Sequence, residues 1–200
     1  MLRHRVMKKR KAKIIPRIRQ AFRRLYPDLS IDDPMQCVRW ANATCSVLRT
    51  FNIEALPVGG SMNWLAVPPH LDDGVSPTHF SYEFEPHSMQ SQFAMFSGNL
   101  PEMHAWAYLP ATDEIIDMTT RHLQVQCARI APSMVWQADD PPDYLWARAS
   151  RLPEGVYYTP DINATELLHG ILIRMNRERS GGPKDASTDL TASYEAPKSP

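Results

Sequence analysis

Cys37, His104 and Asp117 are the residues of this chain whose types and spacing can do covalent chemistry. Cys37 lies in DDPMQCVRWANATCSVLRTF. Asp33 is a good N-cap there, Pro34 suits the first helical position, and Gln36 falls where a capping box wants it. The spacing predicts that Cys37 sits in the first turn of a helix, where unpaired amides stabilise an anion and make a thiolate available. Cys45, two turns further on, and Cys127, which has no such setting, read as small buried apolar residues. His104 and Asp117 belong to HAWAYLPATDEIIDMTT, a hairpin around residues 110–113. If Leu109 pairs with Glu114, Trp106 faces Asp117 and His104 faces Thr119. His104 and Asp117 are then diagonal neighbours on one face. A carboxylate that holds one imidazole nitrogen leaves the other free to act on a thiol. A slip of one residue sends the two side chains to opposite faces. Alone, a His–Asp pair on a hairpin is as readily structural as functional.

The segment CVRWANATCSVLRTFNIEALPVGG resembles the nucleophile region of the transglutaminase-like superfamily of papain-like cysteine enzymes. In that family a Cys starts a helix, a small residue follows one turn later, and the helix ends on a Leu-Arg pair. A Gly-Ile-Pro-Ala-Arg-like segment then leads into a Val-rich strand and a glycine. This chain supplies Cys37, Ala41, Leu48, Arg49, Asn52, Ile53, Glu54, Ala55, Val58 and Gly59. Asn52 and Glu54 stand where the family has Gly and Pro. HAW followed by IIDMT resembles the family's His-Ala-Trp strand and its downstream Asp-x-Thr. The match covers roughly residues 33–120, in the family's order, and residues 61–103 have no counterpart in it.

The resemblance implies an α+β fold of the papain-like, transglutaminase-like kind, with a nucleophile helix packed on an antiparallel β-sheet. It makes Cys37 the nucleophile, His104 the base and Asp117 the orienting acid. The expected protein is a cysteine hydrolase, a peptidase or amidase that works through a thioester acyl-enzyme on a peptide or amide-bearing substrate. The backbone N–H of Cys37 and one further donor would form the oxyanion hole, with Gln36 adjacent in sequence. Trp106, beside His104, would wall a substrate groove. No cofactor is required. Acyl transfer uses the same triad and stays open. The rival from another class is a non-enzymatic adaptor whose basic arm binds a polyanionic partner.

The elements that must position these residues are framed by composition. Two hundred residues, 43% hydrophobic and 22% charged, can bury a core in one domain of ordinary size. No run approaches the ~18 apolar residues of a membrane span. Eighteen prolines against eight glycines imply many kinked or extended connections. Three unevenly spaced cysteines give neither a disulfide framework nor a zinc pair, so a reducing, cytoplasmic setting is expected. The net charge of zero hides an asymmetry. Residues 1–24 hold 11 of the 22 Lys and Arg and no acid, which leaves a body of net −11.

Three regions follow from this. Residues 1–30 form a basic helical arm, in which Ile14, Ile18, Phe22 and Leu25 recur at helical spacing among arginines. That stripe either packs on the acidic body, with the first dozen residues solvated, or touches nucleic acid or an anionic membrane surface. Residues 31–179 form the catalytic domain. Within it, residues 32–51 read as helix and 54–118 as strands, with HFSYEFE placing Phe80, Tyr82 and Phe84 on one face. Beyond Thr119, DDPPDYLW and RLPEG read as loops. A helix from Asn163, with Glu166 at capping-box spacing, buries Leu167, Leu168, Ile171, Leu172 and Met175 and ends at Gly181 and Gly182. Residues 180–200 read as a disordered tail.

Other clusters are less informative. His70, His79 and His87 fit no usual zinc spacing, and no metal site is expected. Asp72, Asp73 and Gly74 make a turn without the later ligands of a calcium loop. The sequons at Asn42 and Asn163 fall on helices and read as chance.

Overall fold

A computed structural model of the chain describes residues 2–68, 76, 78–97 and 100–179, with backbone alone for residues 2–9. His70, the Asp72–Gly74 turn and the tail at 180–200 lie outside the described residues. The chain is mixed α and β with antiparallel strand pairing, as an α+β class requires. No described helix is long and apolar enough to cross a membrane. Two compact units divide it: residues 1–58, 105–124 and 140–153 in the first, the remainder in the second.

The first unit is built on two helices. Helix α1 (Leu2–Leu25) carries Pro16 inside it, and α2 runs Cys37–Thr50. The apolar stripe of α1 is buried: Ile14, Ile15, Ile18, Ala21 and Phe22 all face inward, and Tyr26 follows. The contact that fixes α1 on α2 is Phe22 stacked on Trp40, with centroids 3.9 Å apart. Asn42 is buried and donates its side-chain N–H to the Tyr26 hydroxyl at 2.8 Å, so this sequon is a packing residue. Residues 14–26 are therefore packing elements of the unit. The burial extends to Lys11, whose Nζ donates to the Trp146 carbonyl at 2.8 Å, lies 3.9 Å from Glu114 and sits over the Trp146 ring. Burial lowers the Lys11 pKa, and Glu114 opposes that shift.

The same unit contains most of β3 (His104–Leu109), all of β4 (Glu114–Asp117) and β5 (Leu145–Arg148). The β3–β4 hairpin has the expected register: Leu109 pairs with Glu114, Tyr108 with Ile115 and Ala107 with Ile116. Strand β4 continues antiparallel to β5, pairing Ile116 with Trp146 and Asp117 with Leu145. Helix α2 packs on β4. The segment DDPPDYLW is thus only partly loop, because its last two residues begin a strand that tertiary pairing holds.

The second unit has β1 (Leu56–Val67, from Gly59 onward) as its central strand. It pairs antiparallel with β2 (Thr78–Tyr82) on one side and with β6 (Val156–Pro160) on the other. Phe80, Tyr82 and Phe84 are all buried, as the alternation of HFSYEFE required. Gly60 in β1 lets β6 approach, because a Cβ there would collide with the Thr159 carbonyl oxygen. Helix α5 (Ile162–Arg179) buries Ala164, Leu168, Ile171 and Leu172. Its cap differs from the expected one. Asp161 Oδ1 accepts from the N–H groups of Asn163 and Ala164 at 2.8 and 2.9 Å, so the carboxylate just after Pro160 caps the helix in place of Asn163. Two short helices were not foreseen. One is α3 (Met89–Phe96), within the region read as strands, and the other is α4 (Leu123–Ile130).

Candidate functional site

Cys37 is the first residue of α2. The helix begins later than the capping pattern implied, with Gln36 as N-cap and no side chain bonded to the first turn. Asp33 instead organises the turn before the helix. Its carboxylate accepts from the Met35 N–H at 3.1 Å and from the Gln36 side-chain amide at 2.6 Å. The reason is local: a short acceptor reaching amides two residues ahead closes an Asx turn before a helix can start. Cys37 thus occupies the helix N-terminus itself. It is partly exposed, whereas Cys45 and Cys127 are buried. Burial pushes the Cys45 thiol up to about 12, against a smaller opposing effect of Arg49, and pushes Cys127 up as well. Neither is available as a thiolate near neutrality.

The far end of α2 turns on a residue other than glycine. Asn52 has φ +54, the left-handed region that glycine usually fills. The Ile53 N–H donates to the Leu48 carbonyl at 3.0 Å and the Asn52 N–H to that of Arg49 at 3.0 Å, the two bonds of a Schellman cap. Asn is the side chain best able to replace Gly there. Asn52 thus makes the turn that delivers the chain into β1.

Asp117 closes β4 and is 1% exposed. Its Oδ1 accepts from both the N–H and the hydroxyl of Thr119, at 2.8 and 2.6 Å. Two donors from one residue fix the carboxylate's rotation, which gives the Asp-x-Thr spacing a physical purpose. Helix α2, headed by Cys37, packs on the strand that ends in Asp117 within the first unit.

His104 opens β3 and belongs to the second unit. It is 1% exposed, stacked on the Tyr82 ring at 5.5 Å and tilted against Tyr158 at 6.0 Å. Tyr82 follows from the alternation of HFSYEFE on β2, whereas Tyr158 lies on β6, a strand not foreseen from the sequence, and neither could be linked to His104 by sequence spacing. Trp106 and Gln36, considered for substrate contact, are each 2% exposed, and both ends of the Gln36 amide are engaged, by Asp33 and Arg39.

Of the histidines weighed as metal ligands, His79 lies against the Tyr157 ring and His87 is exposed. Among the described residues no group of three His, Cys, Asp or Glu could hold a metal ion.

No family model and no curated protein matches this chain. Among solved structures, the crystal structure of a genomics target is similar at 11% identity and a TM-score of 0.43, covering 86% of this chain and 80% of that one.

Proposed function

We propose that the protein is a cysteine hydrolase of peptide or amide bonds in which Cys37 is the nucleophile, His104 the acid–base group and Asp117 the orienting carboxylate. The observation that carries this reading is the placement of the one partly exposed cysteine at the head of a helix packed on the strand that ends in Asp117. The hairpin register that the pairing of His104 with Asp117 demands, Leu109 opposite Glu114, supports it.

In the proposed reaction the Cys37 thiolate attacks the carbonyl carbon of the substrate, and the carbonyl π pair moves onto oxygen. Amide N–H groups at the head of α2 face that oxyanion. Collapse of the tetrahedral adduct breaks the C–N bond. The imidazolium of His104 gives its proton to the departing amine, leaving a thioester on Cys37. Water then attacks the thioester, His104 takes a proton from it, and the carboxylic acid leaves as the thiolate re-forms. Asp117 holds the imidazole and stabilises its charged form.

The test is thiol alkylation across about pH 5–9 with the modified residue located by mass spectrometry. An ordinary thiol has a pKa near ~8.5 and reacts slowly at about pH 6. The proposed imidazolium–thiolate pair makes Cys37 react there, while Cys45 and Cys127 stay inert. His104→Gln should remove the low-pH reactivity with the fold retained by circular dichroism. An activated acyl ester should also acylate Cys37 and turn over in the natural chain. Equal labelling of the three cysteines, or a Cys37 profile that rises only above about pH 8 in both proteins, would refute the triad.

A further inference from the structure

Helix α3 is amphipathic with the wrong face outward. Met89, Phe93 and Phe96 recur at helical spacing and are 87%, 71% and 93% exposed, whereas Ser91 is 4% exposed. The helix is real by its cap: Ser88 Oγ accepts from the Ser91 N–H at 3.1 Å. An ordinary surface helix buries its apolar stripe and shows its serines, so this stripe is built for something that covers it. The N-cap and first turn of α3 border a cleft of about 270 Å³. Ser88 and Ser91 line it together with Ser81, Glu83, Glu85 and Glu102, and no cationic side chain lines it. Glu102 is held above the usual carboxylate range by partial burial and by the charges of Glu83 and Glu85, although it accepts a hydrogen bond from the Glu83 backbone N–H.

An occupant must therefore offer apolar side chains to α3 and cations to the cleft. The C-terminal segment does not: residues 180–200 hold two Lys against three acidic residues and almost no large apolar side chain. The first ten residues do. Arg3, Arg5, Lys8, Lys9 and Arg10 come with Leu2, Val6 and Met7 and with no acid. The backbone of this segment is helical, and Arg10 is exposed. At ~1.5 Å per residue its length of about 14 Å matches the roughly 12 Å of α3. We propose that the apolar face of α3 and its flanking acidic cleft form a docking site for the basic N-terminal segment of a second copy of this chain. This self-association is independent of the thiol chemistry proposed above.

Two short helices bury less than a standard interface, so the association is weak and depends on charge. Sedimentation of the full chain at tens of micromolar should show association at about 50 mM salt that weakens by ~10-fold or more at about 500 mM. Deleting residues 2–10 should abolish it, as should Phe93→Ser with Phe96→Ser. Glu83→Gln with Glu85→Gln should weaken it and reduce its salt dependence. The deciding mixture combines the chain lacking residues 2–10 with the Phe93→Ser, Phe96→Ser chain. Each is monomeric alone, yet one keeps the face and the other the arm, so they should pair one to one. A monomer under all conditions, association that survives either change, or a mixture that stays monomeric overturns the proposal. So does a full chain that stays monomeric while binding a synthetic peptide of residues 2–13, or one that binds vesicles of neutral lipid through Phe93 and Phe96.

Discussion

Asn52 holds a left-handed position at the end of α2, and two backbone bonds depend on it. Asn52→Ala should cost about 1 kcal/mol in denaturant unfolding, because a Cβ without a compensating side-chain bond is disfavoured there. Asn52→Gly should fall within a few tenths of the natural chain. His122 sets a second expectation. Burial, and then the charge of Arg121, lower its pKa below the ordinary 6.5, against smaller raising effects of Ile31, Asp32 and Asp33. Between the lowered folded value and 6.5 the unfolded chain holds more protons than the folded one. Stability therefore rises with pH through that window and falls as acid is added. His122→Gln keeps an acceptor for the Arg121 Nε–H that now donates to His122 at 3.0 Å, and it removes the titration. Urea midpoints measured from about pH 7 down to pH 5 should decline less steeply in the variant.

At the scale of elements, the first unit rests on the contact between α1 and α2. Phe22 is fully buried and stacked on Trp40, so Phe22→Ala should cost about 3–5 kcal/mol in chemical denaturation. A loss below ~1 kcal/mol would mean that α1 contributes little to the core. This stripe was legible in the sequence because a 3.6-residue period survives any tertiary context. The hairpin was legible from its turn at 110–113, and the strands adopt the register weighed for it, Leu109 opposite Glu114. Other elements were not. Strand β5 is four residues long and held by β4, and no local pattern announces such a strand beside DDPPD. Helix α3 is only eight residues long, too short for the period of Met89, Phe93 and Phe96 to stand out among the strands around it. The caps of α2 and α5 were missed because only geometry tells whether an acceptor near a helix start reaches the free amides: no side chain does so in α2, and Asp161 does in α5. Of the proposed site, the types and order of Cys37, His104 and Asp117 were readable. The tyrosine rings around His104 come from β2 and β6, which lie far from it in sequence.

At the scale of the whole molecule, neither unit is a continuous stretch of chain. The first takes residues 1–58, 105–124 and 140–153, and the second takes the segments between and after them, so the backbone passes from one to the other five times. Three of these passages fall inside regular elements: between Val58 and Gly59 in β1, between His104 and Ala105 in β3, and between Gln124 and Val125 in α4. A strand or helix cannot melt on one side of a peptide bond without exposing backbone groups on the other. The units should therefore unfold together. In calorimetry the chain should show one transition, with calorimetric and van't Hoff enthalpies in agreement. Phe22→Ala, a change in the first unit, should lower the midpoint equally when unfolding is followed by Trp40 in that unit or by Trp64 in β1 of the second, each as the single tryptophan of an otherwise Trp→Phe chain. Two resolved transitions, or a midpoint that moves for Trp40 alone, would show that the units are independently stable despite the five crossings.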